Sequence, residues 1–168
     1  PNTKALNAAA VALTGVTASS KTYAAASGLG SFTALQLIYA SGFSNATNNG
    51  LKTVASSTAG TVVVNETLID EAAPPAARLQ TVGFRFASGD ISMAVTSGIP
   101  SLVATAADFK TLPGLIPGLW VFIGGDAAGT AFVNNVGYAR IKSIAAKAIV
   151  FDDTTFTPAA EAGTGKTI

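Results

Sequence analysis

The chain repeats itself. An apolar run closed by glycine, Leu37-Ile38-Tyr39-Ala40-Ser41-Gly42, leads through small residues to Asn48-Asn49-Gly50 and a further strand-like segment. Trp120-Val121-Phe122-Ile123-Gly124 leads in the same way to Asn134-Asn135-Val136-Gly137 and the alternating Tyr138-Ala139-Arg140-Ile141. The parallel continues, with Thr61-Val62-Val63-Val64-Asn65-Glu66 set beside Lys147-Ala148-Ile149-Val150-Phe151-Asp152. An acidic, Ala/Pro-rich loop follows each, at residues 70–77 and 152–162. One plan of about 80 residues, the size of a small domain, is therefore written twice, and a fold that suits one half has to suit the other. The join is placed near Ala87-Ser88-Gly89, giving a first β repeat over residues 1–87 and a second over 88–168.

The elements of that plan read as short strands. Thr61-Val62-Val63-Val64 is β-branched, and Val82-Gly83-Phe84-Arg85-Phe86 and residues 138–144 alternate at period two. The runs 120–123 and 148–151 are continuously apolar and stop at Gly124-Gly125 and Asp152-Asp153. Runs of four to eight residues bounded by Gly, Asn, Asp or Pro are the punctuation of antiparallel strands. Helical propensity is confined to residues 102–112, stopped by Pro113, and to short Ala-rich stretches at 8–12 and 74–77. The expected fold is all-β: two tandem, related, small antiparallel β-barrels or sandwiches, with at most one short helix in each. The Asn-Asn-Gly element is read locally, as a tight hairpin-like reversal that uses the tolerance of Asn and Gly for positive φ.

The chemical inventory is thin. There is no His and no Cys, one Met, one Trp and nine acidic residues, which removes the usual general base, the thiol nucleophile and the imidazole and thiolate ligands of most transition-metal sites. Charged residues make up 11% of the chain and nearly cancel, at +1. Lys and Arg are scattered singly from Lys4 to Lys166, without the basic stripe that phosphate contacts require, so no nucleic-acid partner is expected. A surface so poor in charge suits an assembly that covers part of it. The apolar stretch 8–13 is too short for a membrane span or a signal-peptide core, and no membrane partner is expected. The chain opens at Pro1 without an initiator Met and is read as a piece of a longer one.

Several motifs lack the context their chemistry needs. Gly163-Thr164-Gly165-Lys166-Thr167 looks like the end of a phosphate-binding loop, but Ala160 stands where the first glycine belongs, and a turn is the simpler reading. Gly28-Leu29-Gly30 lacks the third glycine of a dinucleotide fingerprint and reads as a turn. Asn45-Ala46-Thr47 and Asn65-Glu66-Thr67 match the glycosylation triplet, which arises freely in a chain this rich in Ser and Thr. Asp70-Glu71 and Asp152-Asp153 supply too few oxygens for calcium and are read as solvated loop acids. Trp120, Phe122, Phe132 and Tyr138 are expected to fill the core of the second half, as Tyr39 and Phe43 fill the first. No catalytic, cofactor-binding or metal-binding residue is assigned, and no enzyme activity is expected.

The segment Gly-Phe-Ser-Asn-Ala-Thr-Asn-Asn-Gly-Leu at 42–51, with the strand after it, Thr61-Val62-Val63-Val64 and the acidic Ala/Pro loop, resembles repeats in the tail proteins of long-tailed phages and prophages. Residues 118–126 and 134–141 resemble the phage tail tube protein family, and the likeness runs from about Leu13 to Ile168. It implies a virion structural protein of the phage tail, made in the bacterial host cytoplasm, without cofactor, whose partners are other tail tube subunits stacked as hexameric rings. Members of the family carry further strands on both flanks. The chain is accordingly expected to be a segment of the subunit, an outward-facing domain of the tube. The alternative is a decoration module that binds host-surface glycans through the exposed loops 44–49 and 126–133.

Overall fold

The computed structural model of the chain describes residues 10–87, 89–124 and 132–162. The phosphate-loop-like segment 163–167 and most of the loop 126–133 lie outside the described residues. The chain divides into two compact units, residues 1–84 and 85–168.

Fourteen strands are described, all paired antiparallel. The first unit holds β1 (Val11–Ala12), β2 (Gly15–Thr17), β3 (Thr22–Ala24), β4 (Gln36–Ser41), β5 (Gly50–Ser57), β6 (Thr61–Val64), β7 (Glu71–Ala72) and β8 (Arg78–Phe84). Their order in the sheet is β1-β8-β4-β5-β6-β3-β2-β7. The second unit holds β9 (Ile91–Thr96), β10 (Ile99–Ala104), β11 (Trp120–Ile123), β12 (Gly137–Ile144), β13 (Ala148–Thr154) and β14 (Glu161–Ala162), in the order β11-β12-β13-β10-β9-β14. Matching β2–β7 to β9–β14 one for one makes the two orders identical. The repeat in the sequence is thus a repeat of topology, with β1 and β8 added in the first unit on the outer side of β4.

The strands bury what their alternation predicts. In β6, Val62 and Val64 point inward, and in β13, Ile149 and Phe151 do so. Around Val62 and Val64, the first core gathers Tyr23, Leu29, Ile38, Phe43, Leu68 and Leu79. The run 82–86, expected as one strand, is divided. β8 ends at the buried Phe84, while Phe86 packs edge-on against Phe109 of the second unit, ring centroids 5.7 Å apart.

The expectation of at most one short helix in each half holds among the described residues, with one 3-10 turn in each unit, while one expectation fails. Residues 102–112 do not form a helix: Leu102 to Ala104 end β10, and only a single 3-10 turn, Phe109–Thr111, follows. The Lys147 ammonium donates to the carbonyls of Ala106 (2.7 Å) and Ala107 (2.9 Å), acceptors that a continuing helix would need. The Phe109 amide meanwhile bonds Ala146 O. Tertiary partners override the local propensity. The expectation that fails concerns the aromatics. Phe132 and Phe43 are buried, but Trp120, Phe122, Tyr138 and Tyr39 are each about half exposed, at 45%, 48%, 54% and 47%. In β11 it is Val121 and Ile123 that face the core, so period two turns both aromatics of the strand outward. Among the described residues no helix is long and apolar enough to cross a membrane.

Candidate functional site

Each unit contains the same polar construction, and in both an asparagine is its centre. Asn48 closes the 3-10 turn Ala46–Asn48 and is fully buried. Its Nδ2 donates to Ile69 O (2.9 Å) and to Glu71 Oε2 (2.8 Å), and its Oδ1 accepts from the Ile69 amide (2.9 Å). Glu71, on β7, also receives the amides of Ser44 on Oε1 (2.7 Å) and of Asn45 on Oε2 (3.2 Å). In the second unit Asn135, equally buried, donates to Ala159 O (2.9 Å) and Glu161 Oε2 (2.8 Å) and accepts from the Ala159 amide (2.9 Å). The Glu161 carboxylate also takes the amides of Val133 and Asn134. A buried carboxamide thus ties the loop before β5 or β12 to the segment entering β7 or β14, and the glutamate gathers the amides of that same loop.

The sequence comparison sets Asn48-Asn49 beside Asn134-Asn135, but the structure equates Asn48 with Asn135. Each stands two residues before a glycine of positive φ, Gly50 (+91°) and Gly137 (+146°), that starts the next strand. The local reading of the element describes Asn49, not Asn48. Asn49 pairs with the backbone of Phe43 at both its amide and its carbonyl and also donates to Asn45 O. Asn48 acts more than 20 residues away. It has a further support in Tyr23, whose hydroxyl donates to Asn48 O (2.7 Å) from a fully buried ring stacked at a tilt on Phe43. Burial, and after it the charge of Glu66, push the Tyr23 phenol far above its ordinary value, so it stays a donor.

The acidic pairs are not equivalent, and they are not simply solvated. Burial works to raise the Glu71 carboxyl, but the Asn48 side chain and the Ser44 and Asn45 backbone outweigh it and hold the group below the usual carboxylate value. Asp70 Oδ1 accepts the Ala18 amide (2.7 Å). Asp152 and Asp153 lie in β13, where Asp152 pairs with Arg140 (2.9 Å). The counterpart of Glu71 is Glu161. A third structural acid, Asp90, escapes the sequence reading altogether. It is buried at the start of β9, and its carboxylate takes the amides of Ala106 and Ala107 and the hydroxyl of Thr105. Burial raises it, yet these bonds and nearby Lys147 bring the net shift below the ordinary value.

A shallow cleft of about 600 Å³ opens beside the first clamp, lined by Ser44, Asn45, Asp70, Glu71, Ala72 and Pro74. Its acids already hold backbone amides, which leaves them as anchors of the fold. Gly28-Leu29-Gly30 lies in the connection between β3 and β4, with Gly28 at φ +92°, Leu29 in the core, and Leu29 O accepting the Phe32 amide across a turn at Gly30-Ser31. Asn45 of the first glycosylation triplet uses its side chain to accept the Thr47 amide. Among the described residues no group of three or more His, Cys, Asp or Glu is placed to hold a metal ion.

The other marked surface is the outer face of β11 and β12. Phe122 stands opposite Tyr138 in the register, their rings edge-to-face at 5.2 Å, and Trp120 stands opposite Arg140. With Val136 at 43% exposed, this is an aromatic patch, bordered by the Arg140–Asp152 ion pair. Comparison of the chain with protein-family models, with curated proteins and with solved structures gives no match.

Proposed function

We propose that the chain is a structural module of a phage tail, a segment of a tail tube subunit on the outward side of the tube, with no catalytic role. One observation carries this reading: the segments that give the sequence its likeness to phage tail proteins, 42–51 and 134–141, each supply the buried asparagine, Asn48 or Asn135, of the same clamp in units of the same strand order. The two acids that line the cleft beside the first clamp hold backbone amides. The Glu71 oxygens take the amides of Ser44 and Asn45. The exposed aromatic face of β11–β12 gives such a module an apolar surface to bury against neighbouring subunits.

The test is location. Antibodies raised against the chain should decorate the shafts of tailed particles by electron microscopy, and its peptides should co-purify with those particles through a density gradient. Absence from intact particles refutes the reading. A second reading, glycan binding at the loop 44–49, is favoured by the polar cleft at Ser44 and Asn45. Saturable binding on a glycan array, lost on replacing Ser44 and Asn45, supports it, and no binding at millimolar glycan removes it.

A further inference from the structure

The chain contains a single Asn-Gly pair, Asn49-Gly50, and it lies where the clamp loop enters β5. Asn-Gly is the dipeptide most open to spontaneous ring closure. The Gly50 nitrogen attacks Asn49 Cγ, an N–Cγ bond forms, the Cγ–Nδ2 bond breaks, and the Gly50 proton leaves with Nδ2 as ammonia. Water then opens the succinimide at either carbonyl, giving aspartate or isoaspartate. Glycine favours the reaction because it sets no side chain beside the attacking nitrogen. Nothing crowds Gly50 in the fold either: no neighbouring atom lies within 4 Å of the point a Cβ would occupy.

The closed loop nevertheless keeps the reacting groups apart. The Asn49 carboxamide is turned back along the chain, with Oδ1 accepting the Phe43 amide (3.0 Å) and Nδ2 donating to Phe43 O (2.9 Å) and Asn45 O (3.2 Å). The Asn49 backbone is extended, at φ −95° and ψ 168°. Closing the ring onto Gly50 takes rotation about ψ and about the Cα–Cβ bond, which breaks those side-chain bonds. The nitrogen is held as well. Thr53 gives its amide to Glu66 and its carbonyl to the Asn65 amide, on the β6 side. The alternation of β5 then turns the Gly50 peptide groups toward β4, opposite Ala40.

We propose that Asn49-Gly50 is a latent deamidation site, silent while the loop 43–49 is closed and reactive each time it opens. The second unit has the clamp without the reactive pair: with Asn135 in the place of Asn48, Val136-Gly137 stands where the first unit has Asn49-Gly50. The product does not restore the contact. In aspartate an oxygen replaces Nδ2 and meets the carbonyls of Phe43 and Asn45, acceptor against acceptor. Isoaspartate routes the backbone through Cγ, which adds a carbon ahead of Gly50 and displaces it from Ala40. Each conversion therefore leaves the loop more open than before, and the damage stays in the first unit. This assignment stands apart from the tail reading, since it rests on the geometry of one loop.

The experiment incubates the intact chain in mildly alkaline buffer, with and without enough urea to unfold it. Peptide mass spectrometry follows the amide-to-acid conversion, and enzymatic methylation counts isoaspartate. In urea, Asn49 should convert faster than every other asparagine. Without urea its rate should fall roughly tenfold to a thousandfold, the range that corresponds to breaking three neutral hydrogen bonds. Asn48→Ala, which loosens the loop, should raise the native rate roughly tenfold and leave the rate in urea unchanged. If Asn48→Ala does not fold, Glu71→Gln, which weakens the hold on Ser44 and Asn45, takes its place. Asn49→Asp, the product itself, should speed hydrogen exchange at residues 43–49 and leave residues 85–168 as they are. Four outcomes overturn the proposal. They are equal Asn49 rates with and without urea, conversion in urea no faster than at Asn65 or Asn135, a native rate that the loop variant does not raise, and unchanged exchange in Asn49→Asp.

Discussion

Replacing Asn48 by alanine tests whether the buried clamp holds the first unit together. The substitution deletes a donor and an acceptor facing Ile69, at 2.9 Å each, and a donor to Glu71. A neutral hydrogen bond contributes about 0.5–1.5 kcal/mol net, so the two bonds to Ile69 together contribute about 1–3 kcal/mol. The Glu71 contact, at a solvent-facing carboxylate, is left out of the sum. Ile69 is 43% exposed, so water can re-solvate part of its backbone, and the middle of the range, about 2 kcal/mol, is the expected loss. For a unit of this size a loss of 1 kcal/mol lowers the melting midpoint by about 4–8 °C, which gives a drop of about 8–16 °C. Calorimetry measures the midpoint, and hydrogen exchange read by mass spectrometry locates the damage. Faster exchange should appear at residues 44–49 and 69–72, with residues 85–168 unchanged. Asn135→Ala should mirror this in the second unit. Asn48→Asp should be worse than alanine at neutral pH, because a carboxylate then faces Glu71, and should recover partly in acid. A midpoint within about 2 °C of wild type for Asn48→Ala would show that the loop is held by other contacts and that the duplicated geometry is incidental.

Acid should weaken both units. The Glu71 and Asp90 carboxyls lie below their ordinary values in the folded chain. Their contributions are therefore complete above the unfolded values and are lost as pH falls through the folded ones. Denaturant midpoints measured from neutral pH downward should decline in that acid range, and more shallowly in Glu71→Gln, which cannot titrate; identical slopes would count against the assignment. Gly42→Ala should be severely destabilising, because Gly42 sits at φ +87° and a Cβ there runs into the Ala76 carbonyl. Gly50→Ala, at φ +91° with open space, should cost only about 1–2 kcal/mol of backbone strain. Equal losses by urea denaturation would refute the steric account. Phe122→Ala should cost under about 1.5 kcal/mol, the worth of an exposed edge-to-face pair, against about 3–5 kcal/mol for buried Phe151→Ala. The same denaturation series measures both.

The strands and their duplication were legible because they are written in local pattern. Thr61-Val62-Val63-Val64 and residues 148–151 carry the β-branched and apolar runs, and the punctuating glycines carry the ends. The facing of Trp120-Val121-Phe122-Ile123 was not legible. Four apolar residues in a row have no polar phase, so nothing in the run says which pair points inward. The clamp was half legible. The asparagines stand out, but the glutamates that complete them lie 23 and 26 residues further on. The signal that would have found them is the Glu-Ala dipeptide that recurs as Glu71-Ala72 and Glu161-Ala162. Asp90 gives no such signal, because the Ala106 and Ala107 amides it holds lie 16 and 17 residues away and belong to a segment whose own propensity is helical.

What the two copies share and where they part separates scaffold from surface. The clamp survives a change in its own loop. Asn45 and Asn48 are separated by the 3-10 turn, whereas Asn134 and Asn135 are adjacent, yet the same backbone amide and the same carboxamide reach the same glutamate oxygen in both. A fold that tolerates such a difference is fixed by the bond and not by the loop length, as expected when a buried polar group has no water to fall back on. The outer side of β4 and β11 shows the opposite behaviour. There the shared strand order stops, one unit carrying β8 and the other ending its sheet, among the described residues, at β11 with aromatic residues on its outer face. Changes at Ala46 and Thr47 should therefore be absorbed by the clamp, whereas Asn48 should not be replaceable, and changes at the half-exposed Trp120 and Phe122 should cost less than changes at the buried Val121 and Ile123.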